Sequence, residues 1–112
     1  MSNDFGRRYE ELACKYLEKS GYKVKARNVS YRFGEIDIVA LRGKMLVFVE
    51  VKGGSSFSLP RYRVDEKKLR RLELAAQRYI LTEKPVFSEA RLDVIEVLEN
   101  GKVNHLKAVG RW

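Results

Sequence analysis

Two stretches of the chain carry apolar residues at helical spacing. The first predicts a helix that is capped by Asn3 or Asp4 and runs to about Ser20, with an apolar stripe of Phe5, Tyr9, Leu12, Ala13, Tyr16 and Leu17. The second predicts a helix that is capped by Asp65 and reaches about Thr82, with a stripe of Leu69, Leu72, Ala76, Tyr79 and Ile80. The chain therefore contains two amphipathic helices.

Between these helices the pattern changes to the alternation of β-strands. Three strands are predicted there: Tyr22 to Val29, Gly34 to Arg42 and Lys44 to Lys52. In the second strand we expect Ile36, Ile38 and Ala40 on one face. The third strand is apolar on both faces until Glu50, which is typical of a central strand covered on both sides.

The rest of the chain supplies a loop and a hairpin. Gly53 to Arg63 holds two Gly, three Ser and a Pro, which predicts a mobile loop. A two-residue turn at Asn100-Gly101 is predicted to join two last strands, Arg91 to Leu98 and Lys102 to Val109. The order helix, three strands, helix, two strands indicates an α/β fold in a single domain spanning residues 1–112.

Composition and charge narrow the class of protein. The apolar runs are far shorter than a membrane span, and the N-terminus lacks the pattern of an export signal, so we expect a cytoplasmic protein. Because Cys14 and His105 are the only residues of their kinds, any metal must sit on carboxylate oxygens, which favours Mg²⁺ or Mn²⁺. A net charge of +8 indicates a polyanionic partner such as nucleic acid, or else a merely solubilising surface.

Two acidic residues and a lysine are candidates for chemistry. Asp37 precedes Glu50 by thirteen positions, and Lys52 shares the face of Glu50. A turn of two or four residues after Leu41 would put all three on one face, whereas a three-residue turn would separate Asp37 from the others. Such charges on apolar strands are costly unless they are paired or bound to a cation.

This trio suggests metal-assisted hydrolysis of phosphodiesters. Two carboxylates, a backbone carbonyl such as that of Val51 and several waters would satisfy the octahedral demand of Mg²⁺. Lys52 could then hold the attacking water or offset charge that grows on a phosphate. The alternative is a cross-strand ion pair of Lys52 with Asp37 or Glu50 on a solvated face of the sheet.

Further acidic candidates lie near this trio. Glu10 stands at the margin of the first apolar stripe and could reach the sheet edge, whereas Glu11 points away from it. Glu35 shares the side of Asp37 and is either another metal residue or an edge charge. Asp93, in the fourth strand, has no partner that the sequence identifies.

Basic and aromatic residues supply candidate contacts to nucleic acid. Lys68 flanks the apolar stripe of the second helix, and the outer face of that helix carries Lys67, Arg71 and Arg78. These three form either a stripe that tracks phosphates or a solvated surface. A cluster before the second strand either touches nucleic acid or packs its own loop: Tyr31, Arg32 and Phe33.

Together these residues resemble the PD-(D/E)xK nuclease superfamily over roughly residues 5–98. The resemblance rests on the helix with Glu10, the GEID motif at 34–37, the VFVEVK motif at 47–52 and the helix that opens with Lys68. It is most similar to the YraN-like family, which is itself similar to archaeal Holliday-junction resolvases. Ile36 stands where the name of the superfamily has proline. The implied fold is a restriction-endonuclease-like core, a mixed central sheet flanked by helices.

The resemblance also implies roles for residues. Asp37 and Glu50 would bind the metal, Lys52 would position or activate the water, and Glu10 would complete the metal shell. Lys68 matches a lysine often found in that helix. The implied activity is a Mg²⁺- or Mn²⁺-dependent endonuclease acting on DNA, including branched or junction DNA.

Two other functions remain open, and junction cleavage would add a requirement. The fold could serve a catalytically inactive module for nucleic-acid binding or assembly, or a basic structural protein without a ligand. Cleavage of a junction on opposite strands would require a symmetric homodimer. Its surface could include apolar residues near 103–109, or Tyr62 and Phe57.

Overall fold

The structure is a computed structural model, and it describes residues 4–54 and 66–110. The predicted caps at Asn3 and Asp65, residues 55–63 of the predicted loop, and the rings of Tyr62 and Phe57 lie outside the described residues, as do the side chains of residues 4 and 5. In the described part of the chain, no helix is long and apolar enough to cross a membrane.

The elements follow the order that the sequence predicts. They are α1 (Asp4–Lys19), β1 (Lys23–Tyr31), β2 (Gly34–Arg42), β3 (Met45–Gly54), α2 (Glu66–Glu83), β4 (Glu89–Leu98) and β5 (Val103–Leu106). The five strands form one sheet in the order β1-β2-β3-β4-β5. Only the β3–β4 pairing is parallel among these described strands, so the sheet is mixed, as expected.

Strand β3 lies at the centre of the protein with a helix on each side. Leu46 to Val49 are at most 1% exposed, because alternate side chains enter two separate core clusters. Val47 and Val49 pack in the cluster that contains Ala13, Cys14 and Leu17 of α1. Leu46 and Phe48 pack in the cluster that contains Leu72, Ala75 and Ala76 of α2. The prediction of a doubly covered central strand is therefore confirmed.

The alternation of side chains is interrupted where β1 and β2 pair. Ile38 and Ala40 pack in the α1 cluster, but Ile36 packs in the α2 cluster, so the prediction that all three share a face is wrong. Asn28, which lies between the pairs Arg27↔Ile38 and Val29↔Ile36, has a φ of 53°. This left-handed residue breaks the pleat opposite Asp37, and both strands change face there.

The final hairpin also differs from its prediction. Its loop has three residues, 99–101, because the Leu98 amide donates to the Lys102 carbonyl at 2.8 Å. Gly101 takes the left-handed conformation that a three-residue loop requires (φ 88°). Strand β5 ends at Leu106 and not at Val109, since Ala108 has a φ of 57° and turns its amide toward Asp93.

Asp93 has several partners, although the sequence identifies none. Its carboxylate is fully buried and accepts hydrogen bonds from the Arg91 guanidinium (2.8 and 2.9 Å), from His105 Nε2 (2.6 Å) and from the Ala108 amide (3.0 Å). Burial alone would raise the pKa of Asp93, but these hydrogen bonds outweigh it and hold the pKa below its usual range. His105 also lies 2.9 Å from the Tyr16 hydroxyl, so both of its ring nitrogens have partners within the fold.

We expect Asp93→Asn to destabilise the fold by about 3–5 kcal/mol, because it leaves the half-buried Arg91 without its counter-charge. Since the folded-state pKa of Asp93 is lowered, this contribution is present above the unfolded-state pKa and is lost as pH falls through the folded-state value. Urea unfolding at pH 7 and at pH 3 measures both effects. Glu89→Gln, an exposed change on the same strand, is the control. Equal midpoints for Asp93→Asn and the control at pH 7 would contradict this role.

Candidate metal and active site

A cleft of about 470 Å³ opens at the end of β3, where the start of β2 and the first turns of both helices meet. Acidic and basic side chains line it together: Glu10, Glu35, Asp37, Glu50, Lys52, Lys68 and Arg71. The β2–β3 pairing explains this convergence. Leu41 pairs with Leu46, which is one of the two registers that bring Asp37 toward Glu50 and Lys52.

The Asp37 carboxylate is tied to the backbone of β3. Its Oδ2 accepts a hydrogen bond from the Val51 amide at 2.8 Å. Burial raises the pKa of Asp37 to about 6; the Val51 hydrogen bond opposes this, and the nearby charges of Glu10, Glu50 and Glu35 add to it. Asp37 therefore sits where negative charge is already in excess, and a cation would relieve it.

Glu50 lies between two ammonium groups. Its Oε2 is 3.5 Å from Lys52 Nζ and 4.0 Å from Lys68 Nζ, and its side chain is 19% exposed. A hydrogen bond with Lys68, together with burial, lowers the pKa of Lys52, although the charge of Glu50 opposes the shift. Lys52 and Lys68 thus meet at one carboxylate, and a positive region borders the acidic part of the cleft.

Helix α1 brings Glu10 to the cleft from the other side of the sheet. The ring of Tyr9 packs directly on the backbone of Gly53, where an added Cβ would lie 1.7 Å from Tyr9 Cδ2. Only glycine permits this approach, and it fixes the first turns of α1 against the end of β3. Glu10 is 19% exposed and Glu11 is 59% exposed, which agrees with the predicted difference between them.

Arg27 is a residue of the site that the sequence reasoning missed. From β1 its guanidinium lies 3.9 Å from Glu10 Oε1 and 3.7 Å from Glu11 Oε2. The alternation of β1 does not reveal it, because β1 changes face twice, at the register shift between Val24 and Ala26 and again at Asn28, and Arg27 lies between these two breaks. The presence of an arginine on the strand next to that of Asp37 is too weak a signal to predict a contact with Glu10.

The donor set suits a hard divalent cation. In residues 4–54 and 66–110, no three Asp, Glu, His or Cys side chains converge tightly enough to form a preassembled metal cluster. Mg²⁺ is commonly held by one or two carboxylates, with waters and phosphate oxygens completing the shell, so two carboxylates suffice. Asp37 and Glu50 line the same cleft as Val51, and the excess negative charge at Asp37 is the feature that fits a cation.

The predicted nucleic-acid residues of α2 border this cleft. Lys67, Arg71 and Arg78 are exposed, and Arg71 lines both the cleft and a neighbouring groove that also contains Lys67. Arg78 lies about two turns further along the helix, with its guanidinium carbon 5.5 Å from the centroid of the Phe33 ring. Lys68 differs from these three, because its side chain turns toward Glu50.

Replacing Asp37 by Asn should stabilise the metal-free protein by about 2–3 kcal/mol at pH 8, since the carboxylate costs about 1.36 kcal/mol per unit of raised pKa. Asn keeps an oxygen that can accept from the Val51 amide. The gain should shrink as pH falls through about 6 and vanish below the unfolded-state value of 3.8, because the wild-type carboxyl is then neutral. Urea unfolding in EDTA measures it, with Glu99→Gln, an exposed change in the β4–β5 turn, as control. A less stable Asp37→Asn at pH 8 would contradict the excess of negative charge.

Comparisons with known proteins agree with the motifs and the fold. A family model described as "Uncharacterised protein family UPF0102" matches residues 9–97. A UPF0102 protein of Kosmotoga olearia is 64% identical over 112 residues, covering 100% of this chain and 97% of that protein. One from Pseudothermotoga lettingae is 52% identical over 100 residues, covering 89% and 92%.

A solved structure is also similar. Hjc of Archaeoglobus fulgidus, a Holliday junction resolvase from an archaeal hyperthermophile, superposes with a TM-score of 0.62 at 23% identity, covering 92% of this chain and 77% of Hjc. This similarity confirms the restriction-endonuclease-like fold that the motifs implied. The chain belongs to the UPF0102 family, the YraN-like family of PD-(D/E)xK fold that its sequence resembles.

Proposed function

We propose that this protein is a divalent-metal-dependent endonuclease that hydrolyses phosphodiester bonds in DNA. The observation that carries the proposal is the single cleft shared by Asp37, Glu50 and Lys52, in which Asp37 is anchored to the Val51 amide and surrounded by negative charge. The similarity of the fold to Hjc, a Holliday junction resolvase, supports DNA as the substrate and branched or junction DNA as its form.

Asp37, Glu50 and the Val51 carbonyl are the groups that would hold Mg²⁺ or Mn²⁺, with Glu10 as a further ligand. When bound, such an ion supplies Lewis acidity toward a phosphate oxygen and makes water a stronger acid. The Arg27 guanidinium lies 3.9 Å from Glu10 Oε1 and holds this carboxylate at the margin of the cleft. The first turns of α1 and the end of β3 therefore supply the ligands from opposite sides.

Lys52 acts on the reacting groups. Glu50 holds its ammonium in the cleft, with Oε2 3.5 Å from Nζ, close to the space where a phosphate or an attacking water would lie. An ammonium in this half-buried position stabilises the negative charge that grows on a phosphate during hydrolysis. Lys68 keeps the pKa of Lys52 low, which eases the transfer of a proton between Lys52 and the attacking water.

The exposed basic residues of α2 would position the DNA backbone. Arg71 lines the cleft, and Lys67 and Arg78 are exposed on the same helix, so the three can neutralise phosphates that flank the reacting one. If the substrate is a junction, two cleavage centres must act on opposite strands, and a homodimer would supply them.

Glu50→Gln and Lys52→Met should each reduce cleavage at least about 100-fold, because one removes a metal ligand and the other a charge-stabilising donor. End-labelled duplex, single-stranded and four-way-junction DNA in Mn²⁺ provide the assay. Glu99→Gln and Lys102→Met are matched controls, since both residues are exposed in the β4–β5 turn. Cleavage at wild-type rates by both cleft variants would show a contaminant or a different site.

A second candidate is a catalytically inactive nucleic-acid-binding module. The observation that favours it is that, within the described ranges 4–54 and 66–110, no three Asp, Glu, His or Cys side chains form a preassembled metal cluster. Such a module would bind DNA equally well in EDTA and in Mn²⁺, and it would cut no substrate.

Either candidate requires the charges of α2 for binding. The affinity for DNA falls as the salt concentration rises. Replacing Lys67, Arg71 or Arg78 by Gln should make the slope of log affinity against log salt shallower by about 0.7–0.9 for each phosphate that is no longer neutralised. Fluorescence anisotropy at several salt concentrations in EDTA measures the slope. Lys84→Gln, an exposed change just after α2, serves as the charge control. Identical slopes for all variants would place the DNA on another surface.

A further inference from the structure

The turn between β1 and β2 carries two aromatic rings beside the cleft. The rings of Tyr31 and Phe33 have centroids 5.9 Å apart and planes that differ by 15°, which is a displaced parallel stack. Tyr31 packs against the α2 core cluster, whereas Phe33 is not among the side chains that pack on either cluster of the described chain. The half-buried Phe33 ring therefore contacts Tyr31 and Arg78 at the surface.

The position of these rings is fixed by a close approach of two backbones. A Cβ on Gly34 would lie 2.5 Å from the carbonyl oxygen of Arg71, so only glycine lets the turn rest on α2. Gly34 and Glu35 line the cleft together with Arg71. Phe33, which precedes them in the chain, thus stands at the margin of the cleft and not at a distant loop.

A flat pair of rings with a guanidinium fits the face of a nucleobase. Bases stack on aromatic side chains and on arginine whatever their identity, because every base has a π-face. In a continuous duplex these faces are covered by neighbouring base pairs, and only an unpaired base can offer one. Arg71, whose backbone contacts Gly34 of this turn, and Lys67 are exposed on the same helix as Arg78 and would contact the phosphates of such a strand.

We propose that Tyr31, Phe33 and Arg78 form a stacking site for an unpaired nucleobase at the margin of the cleft. The substrate class is then nucleic acid with unpaired nucleotides beside the reacting phosphate. The stacking of a base does not depend on the proposed function, because it needs no metal and no turnover. Only the statement that the neighbouring phosphate is cleaved rests on the proposed function.

The test compares binding to single-stranded and duplex DNA of equal length in EDTA, where nothing is cut. Phe33→Leu keeps an apolar side chain but removes the ring, and it should weaken single-strand binding about 5- to 30-fold while changing duplex binding less than about twofold. Phe33→Tyr should retain wild-type binding. A 2-aminopurine scanned along the single strand should be quenched by the wild type and not by Phe33→Leu.

Arg78→Gln and Arg70→Gln separate stacking from charge. Both remove one exposed charge from α2, but only Arg78 contacts the ring. Arg78→Gln should weaken single-strand binding more than duplex binding, whereas Arg70→Gln should affect both probes alike. A matched RNA strand shows which nucleic acid supplies the base, and a selective loss with either strand supports the site.

Several results would overturn the stacking site. These are equal losses on single strand and duplex for Phe33→Leu, no loss on any strand, or failure of Phe33→Tyr to restore binding. Thermal unfolding of each variant confirms that it is folded. If Phe33→Leu selectively loses single-strand binding but the wild type cuts no substrate, the stacking site is supported and the nuclease function is contradicted. If the wild type cuts DNA but Phe33→Leu shows no selective loss, the nuclease function is supported and the stacking site is contradicted.

Discussion

The hydrogen bond from the Val51 amide to the Asp37 carboxylate joins β2 to β3 beyond the last regular backbone pair, Ile38↔Val49. A buried amide needs an acceptor, and here a side chain supplies it where the pleat of β2 is broken. The bond holds the Asp37 side chain, which comes from β2, against the backbone of β3, although burial and three neighbouring carboxylates disfavour its charge. The geometry of the cleft depends on this compromise, because Glu50 and Lys52 flank the same residue of β3.

Strand β3 shows why the cleft lies where it does. Its residues from Leu46 to Val49 are covered by a helix on each side, so an unpaired charge there would be very costly. From Glu50 onward the side chains become partly exposed, and charged groups can be tolerated with partners such as Lys52 and Lys68. Gly53 continues the strand under Tyr9 and keeps α1 close. The core thus ends, and the cleft begins, at the point where helices no longer cover both sides of β3.

The helices and the order of the elements along the chain could be predicted from the sequence, because periodic apolar patterns are local signals. The mixed sheet was implied by the resemblance that the GEID and VFVEVK motifs carry. Ile36 could not be placed, since the left-handed φ of Asn28 acts across the strand pair and interrupts an alternation that looks regular in β2 alone. For Asp93 the sequence reasoning overlooked Arg91, two positions away on the same strand. The contacts of His105 and Ala108 come from twelve and fifteen positions away, and no local pattern reveals them.

The site itself could be predicted to the extent that it depends on register. The pairing of Leu41 with Leu46 is one of two registers that unite Asp37 with Glu50, and the structure selects it. The contact of Arg27 with α1 depends on how a helix docks on a sheet, which no spacing along one strand reveals.

A protein of net charge +8 that gathers Glu10, Glu35, Asp37 and Glu50 in one cleft separates its charges by function. Burial and the repulsion between these negative groups raise the pKa of Asp37, so a cation bound in the cleft would stabilise it. The exposed positive groups of α2 begin with Arg71 at the cleft and continue along the helix to Arg78, and in the proposed function they would attract phosphates. Lys52 and Lys68 meet Glu50 at the boundary between these charges. In the proposed function, a phosphate bound along α2 would reach the carboxylates at the point where both kinds of charge are present.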